Sequence, residues 1–204
     1  MKLYTCTGAP SPRRVTLYLE AKGLEIETVE VDLRSGAHMT PEFEAISEDR
    51  TVPVLTLEDG GTIWESAAIR RYLERLNPEP SLFGHSAREM AEVEQWTDWV
   101  FSHGLLAVME AFRNATPGFA DRALPGKRPV AQIPALAERG RERYAHFLED
   151  LNARLARRDF VAGSFFSVAD IDARVTIEFA AQAIKMPPAP THSALAAWLK
   201  RLGA

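Results

Sequence analysis

The sequence predicts a mixed α/β unit followed by an all-helical one, and three observations carry that division. Up to about Leu76 the apolar spacing keeps switching between a period of two and a period near 3.6. Beyond Ala87 only the helical period persists. Between them, residues 77–86 concentrate Pro, Gly and polar side chains, as a domain boundary does. At 204 residues, 46% hydrophobic and 25% charged, the chain can bury a core in each part.

Lys2–Thr5 reads as a short strand. Residues 13–22 read as a helix, with Val15, Leu19 and Lys22 a turn apart and Gly23 as its left-handed C-terminal residue. Thr28-Val29-Glu30-Val31-Asp32-Leu33 alternates polar and apolar, the pattern of a strand with one buried face. Val54 to Leu57, the turn Asp59-Gly60-Gly61 and Thr62–Trp64 form a hairpin, because glycine supplies the positive φ such turns need. Ser66–Leu76 is a helix with Ile69, Tyr72, Leu73 and Leu76 on one face, stopped by Asn77-Pro78. This β-α-β-(loop or helix)-β-β-α order matches a thioredoxin-like domain over 1–77. A linker at 78–86 and an all-helical domain over 87–204 complete the expected division.

In the second part Met90, Val93, Trp96 and Val100 lie on one stripe, and Leu136, Gly140, Tyr144, Phe147, Leu151 and Leu155 on a longer one. Residues 169–184 are apolar around most of their circumference, which predicts a helix at the centre of a bundle, opened by a Ser167/Asp170 capping box. Residues 193–202 form a last amphipathic helix.

Lys and Arg number 24 against 28 Asp and Glu, and the resulting net charge of −4 disfavours a nucleic-acid partner. The apolar runs fall short of the roughly 20 residues of a bilayer span, and the amino terminus enters a strand pattern without a secretory signal. A cytoplasmic protein is expected. The lone Cys6 allows no internal disulfide and fits a reducing compartment. The five histidines include no pair at i, i+4 spacing, so no metal is expected.

Three places carry chemistry. Cys6-Thr7-Gly8-Ala9-Pro10-Ser11-Pro12-Arg13-Arg14-Val15 leads from the first strand into a helix, whose start offers free amides and partial positive charge to a thiolate or other anion. Ser11 is either placed for that role or an ordinary N-cap; Arg13 and Arg14 either serve an anion or are simply exposed. Val52-Pro53 places a proline at a strand entry. It is an edge device or, with a cis bond, a way to turn the Val52 N–H and C=O outward toward a peptide-like ligand. Glu65-Ser66 opens a helix, with Ser66 an N-cap or, with the first amides, the holder of a carboxylate.

Taken in order over essentially the whole chain, these motifs strongly resemble the cytosolic glutathione S-transferase family. Ala9 to Val15, Glu20-Ala21-Lys22-Gly23-Leu24, Pro41-Glu42-Phe43, Val52-Pro53-Val54-Leu55, Glu65 to Leu73 and the later Ser167-Val168-Ala169-Asp170-Ile171 look like bacterial members. The resemblance implies glutathione as co-substrate, no metal, a homodimer, and a detoxifying enzyme. Such an enzyme conjugates glutathione to small hydrophobic electrophiles or uses it to reduce peroxides or disulfides. The Val52 backbone would pair with the cysteinyl part, Pro53 would position it, and Glu65 with Ser66 would hold the γ-glutamyl end. A thiol of pKa about 8.5 is only a few per cent thiolate at pH 7, so a donor aimed at the sulfur helps. Ser11, assisted by Arg13, is the first candidate and Cys6 the second, although Cys6 also reads as a buried inert thiol. Tyr4 reads as core.

The sequence departs from the family pattern at Ala9, where serine and cysteine classes often keep their catalytic group, and at Arg50-Thr51, which replaces Gly-Gln or Gly-Lys. Arg50 or His38 would then meet the glycyl end. Trp96, Trp99, His103, Phe112, Arg113 and Phe119 are the nominated electrophile pocket, built largely by the second domain; aromatic residues at helical spacing equally read as core. The alternative is a non-catalytic interaction or regulatory module of the same fold, against which Val52-Pro53 and Glu65-Ser66 stand intact.

Overall fold

The computed structural model describes residues 1–203. They divide into two compact units, Met1–Pro80 with Pro125–Arg128, and Ser81–Leu124 with Pro129 onward. The inclusion of 125–128 in the first unit has no counterpart in the sequence reading.

The first unit runs β1 (Lys2–Thr5), α1 (Pro10–Lys22), β2 (Glu27–Glu30), a 3-10 turn at Ala37–Met39, α2 (Pro41–Glu44), β3 (Val54–Thr56), β4 (Thr62–Trp64) and α3 (Ser66–Leu76). The sheet order is β2-β1-β3-β4. β1 pairs parallel with β2 across the α1 crossover and antiparallel with β3, which pairs antiparallel with β4. This is a thioredoxin-like domain. Its core gathers Leu3, Val15, Tyr18, Leu55, Ile69 and Leu73, all essentially closed to solvent. α1 packs on α3, and a buried polar clasp ties them. The Tyr18 hydroxyl donates to Glu74 at 2.7 Å, while Lys22 Nζ lies 3.0 Å from the same carboxylate and donates to the Pro80 carbonyl at 2.6 Å.

Two local expectations are corrected. α1 starts at Pro10, so Ser11 stands inside the first turn and Ala9 is the N-cap. β2 spans only Glu27–Glu30 at the edge of the sheet, whereas the alternation itself holds through to residue 33, with Thr28, Glu30 and Asp32 exposed, Val29 and Leu33 half-buried and Val31 buried. Its continuation is stopped where Asp32 Oδ1 accepts from the Arg34 and Ser35 amides at 2.9 and 3.2 Å, an Asx-type turn.

The second unit is helical: α4 (Ala87–Trp99), a π-helical segment Val100–Leu105, α5 (Leu106–Ala115), a 3-10 turn Pro117–Phe119, α6 (Pro134–Leu155), α7 (Val168–Ala183) and α8 (Ser193–Arg201). Ser86 and Glu89 open α4 with a capping box. Met90, expected on the buried stripe, is half exposed. Arg143 bridges the π segment and α5, donating to the Ser102 carbonyl at 2.6 Å and to Glu110 at 2.9 Å. Gly140 lets α6 approach α5, since a Cβ there would lie 2.6 Å from the Ala107 carbonyl oxygen. α7 is buried along most of its length, as its composition predicts. At its start the Asp170 carboxylate accepts from the Val161 amide (2.9 Å), the Ser167 amide (3.0 Å) and hydroxyl (3.2 Å), and the Trp198 indole (3.0 Å). Among the described residues no helix is long and apolar enough to cross a membrane.

Candidate functional site

The three sequence motifs of the first unit meet at one end of its sheet. β3 pairs Val54 with Trp64 of β4 and with Tyr4 of β1. Continuing both ladders by two residues would set Val52 across from Ser66 on one side and Cys6 on the other. The end of β1, the entry to β3 and the exit from β4 therefore share an edge, and α1 and α3 both begin there.

Val52-Pro53 is a cis peptide. The Val52 N–H and C=O make no hydrogen bond among the described residues, so both main-chain groups of this residue stand open just before the ladder begins. The chain ahead of it is pinned by Ser47, whose buried hydroxyl accepts from the Thr51 amide at 3.1 Å and donates to the Thr51 carbonyl at 3.0 Å. Ser47 escaped the sequence reading, because a single serine within Ser47-Glu48-Asp49-Arg50-Thr51 carries no periodic signal.

Glu65 precedes α3 with φ 69° and ψ 124°, a conformation costing a non-glycine residue on the order of 1–3 kcal/mol and found preferentially at functional sites. Its side chain is exposed and does not cap the helix. The Ser66, Ala67 and Ala68 amides are consequently unclaimed, and the first helical bond is from the Ile69 amide to the Glu65 carbonyl. Three free amides at the positive end of an eleven-residue helix are a ready seat for a carboxylate.

Ser66 is 1% exposed, and its hydroxyl donates at 2.8 Å to the carbonyl of Ser11, 55 residues earlier. The hydroxyl proton is thus spent within the protein, and the anion-holding capacity lies in the amides. Ser11 itself is half-buried with a hydroxyl that makes no hydrogen bond among the described residues. Because Pro10 and Pro12 have no N–H and the Arg13 amide bonds to the Ala9 carbonyl, Ser11 supplies the one free amide of the α1 start. The expected array of amides reduces to this single N–H and the adjacent hydroxyl.

The remaining candidates make other contacts. Arg13 turns along α1 to Glu20 at 3.2 Å. Arg14 is buried, not surface-exposed. Arg50 pairs with Glu44 at 2.7 Å, and His38 is buried in the 3-10 turn. Tyr4 packs edge-on against Phe43. Cys6 is half-buried beside Glu30 and Asp32, and desolvation, partly countered by a backbone hydrogen bond, pushes its thiol pKa up. Its surroundings favour the neutral thiol, in keeping with the buried, inert reading of this residue.

The six nominated pocket residues fall into two groups. Trp99 stacks on His103 and meets Trp96 and Phe147, with the Arg154 guanidinium 3.9 Å over Trp96. Phe112 and Phe119 form another group with Phe179, and Arg113 lies over Phe119. Trp99 and Phe112 are 13 residues apart on one nearly continuous helical rod, about 20 Å of axial rise.

A cis-proline strand entry beside two helix starts, on a thioredoxin-like sheet followed by a helical unit, defines the class of this protein. Residues 9–76 match the family model of the glutathione S-transferase N-terminal domain. A solved glutathione S-transferase domain-containing protein from Marinobacter aquaeolei superposes with a TM-score of 0.91 at 35% identity, covering 100% of this chain and 98% of the other. Glutathione S-transferase 2 of Saccharomyces cerevisiae is 32% identical over 99% of this chain and 85% of its own length. The disulfide-bond oxidoreductase YfcG of Escherichia coli is 32% identical over 80% of this chain and 74% of its own length. The chain belongs to the glutathione S-transferase family.

Proposed function

We propose that this protein is a glutathione-dependent enzyme whose glutathione seat is the sheet end formed by Val52, the α3 start and Ser11. The observation that carries the reading is the Ser66 to Ser11 hydrogen bond, which ties two under-capped helix starts together beside the open Val52 peptide. The open Val52 N–H and C=O suit the backbone of the cysteinyl residue, which would pair with them as an added strand does. The α3 amides suit the γ-glutamyl carboxylate. The Ser11 hydroxyl and amide are then the donors for the sulfur. A thiolate so favoured attacks an electrophilic carbon, a C–S bond forms, and the leaving group departs with its electron pair.

Family membership supports the rest of the reading: small hydrophobic electrophiles as acceptors, a homodimer, a cytoplasmic location and a detoxifying role. The likeness to a disulfide-bond oxidoreductase supports a second activity, thiol–disulfide exchange on glutathione disulfides.

The test is calorimetric titration with glutathione of the unmodified protein, Ser66→Ala and Ser11→Ala, paired with ultraviolet absorbance of the bound thiolate. Ser66→Ala is expected to weaken binding roughly tenfold, the worth of a part-buried hydrogen bond. Ser11→Ala is expected to keep most of the affinity and lose thiolate absorbance. No binding at millimolar glutathione would overturn the reading in favour of a non-catalytic module.

A further inference from the structure

We propose that Arg113 and Arg122, both stacked on Phe119, form an acid-binding site in the helical unit for ligands that carry a carboxylate on an aromatic or apolar body.

The two guanidiniums lie 4.6 and 5.8 Å from the centroid of the Phe119 ring. Neither forms an ion pair with a carboxylate among the described residues. The acid one turn back on α5, Glu110, is engaged by Arg139 at 3.0 Å and Arg143 at 2.9 Å. Arg113 Nη1 donates to the Arg122 carbonyl at 2.6 Å, and its Nε is buried with no acceptor. The Nε/Nη2 edge is the side of a guanidinium that receives a carboxylate in two parallel bonds, and here it has no protein partner. Burial and the neighbouring Arg122 push the Arg113 pKa down to about 10, which leaves it charged at neutral pH. Two like charges without a counter-ion, one of them partly desolvated, are costly in the free protein, and an anionic ligand relieves both the repulsion and the orphaned donor.

The surroundings are built to hold this arrangement. Gln132 Nε2 donates to the Arg113 and Thr116 carbonyls at 2.6 and 2.7 Å, closing the end of α5. The Ile133 amide donates to Asn114 Oδ1 at 2.9 Å. The Arg122 backbone is fixed by a bridge to Val130, with the Val130 amide donating to the Asp121 carbonyl and the Ala123 amide to the Val130 carbonyl. Phe112, edge-on to both Phe119 and Phe179, extends a half-buried aromatic surface beside the cations.

The probes are 2-naphthoate and its neutral counterpart 2-naphthamide, titrated into the whole protein without glutathione and followed by calorimetry. Naphthoate is expected to bind roughly tenfold or more tightly than the amide, the worth of a charge-assisted hydrogen bond, and to lose that advantage in high salt. Arg113→Gln and Arg122→Gln should each bring the two probes to parity through weaker naphthoate binding. The Arg122 side chain is exposed, so its variant tests the site even if Arg113→Gln fails to fold. Equal binding by the unmodified protein, or a preference that survives both substitutions, would overturn the proposal.

Discussion

Removing the Asp170 carboxylate should destabilise the helical unit more than any surface change, and the size follows from its contacts. The side chain is closed to solvent and receives four donors, the Val161 and Ser167 amides, the Ser167 hydroxyl and the Trp198 indole. In Asp170→Ala the hydroxyl can rotate elsewhere, but the two amides and the indole cannot. Each buried donor left without an acceptor costs about 1–3 kcal/mol, so the variant should lose about 3–6 kcal/mol once partial relaxation is allowed for. Asp170→Asn separates the contributions. An amide oxygen in the Oδ1 position still accepts from Val161 and Trp198, whereas its nitrogen would face the Ser167 amide, donor against donor. That variant should lose about 1–2 kcal/mol. The assay is urea unfolding followed by far-ultraviolet circular dichroism, with Trp198→Phe as the partner in a double-mutant cycle expected to show coupling of about 1 kcal/mol. Burial pushes the Asp170 pKa up and its four donors pull it back. A loss below about 1 kcal/mol in Asp170→Ala, or an Asn variant as unstable as the Ala variant, would refute the account of a carboxylate organising this junction.

Gly140→Ala should destabilise the protein by about 1–3 kcal/mol in the same assay, because the new Cβ meets backbone atoms of α5 that cannot swing aside. Ser47→Ala should cost about 1–2 kcal/mol and weaken glutathione binding, since it frees the segment that fixes Val52. Cys6 should alkylate with iodoacetamide more slowly than a free thiol at neutral pH. Its raised pKa shifts the rate profile to higher pH, and a midpoint below that of glutathione would contradict the assignment. Lys22→Met should be tolerated worse than Arg13→Met. Lys22 answers Glu74 in a buried setting, whereas the Arg13–Glu20 pair is exposed, and thermal unfolding of the two variants checks the ranking.

What the sequence determined by itself is local. The hairpin around Asp59-Gly60-Gly61, the helix from Ser66 and the buried helix after Ser167 follow from turn chemistry, capping and apolar period, which neighbouring residues impose on one another. The site motifs were legible for the same reason, as short strings at strand ends and helix starts. Tertiary structure alone decided how they are used. Ser66 spends its proton on the carbonyl of Ser11, a partner 55 residues away to which no periodicity points. Arg13 runs along its own helix to Glu20, leaving the helix start to Ser11. β2 is the edge strand because of its place in the sheet order, which its alternation, matched by the half-buried Val29 and the buried Val31, does not reveal. The nominated aromatic residues share a pattern but are spread by the rise of the helix. Arg113 gained its character from Phe119, Arg122 and the engagement of Glu110 by Arg139 and Arg143. Periodicity records which way a side chain faces on its own element; what it faces, and whether a charge there is answered, depends on segments far away in the chain.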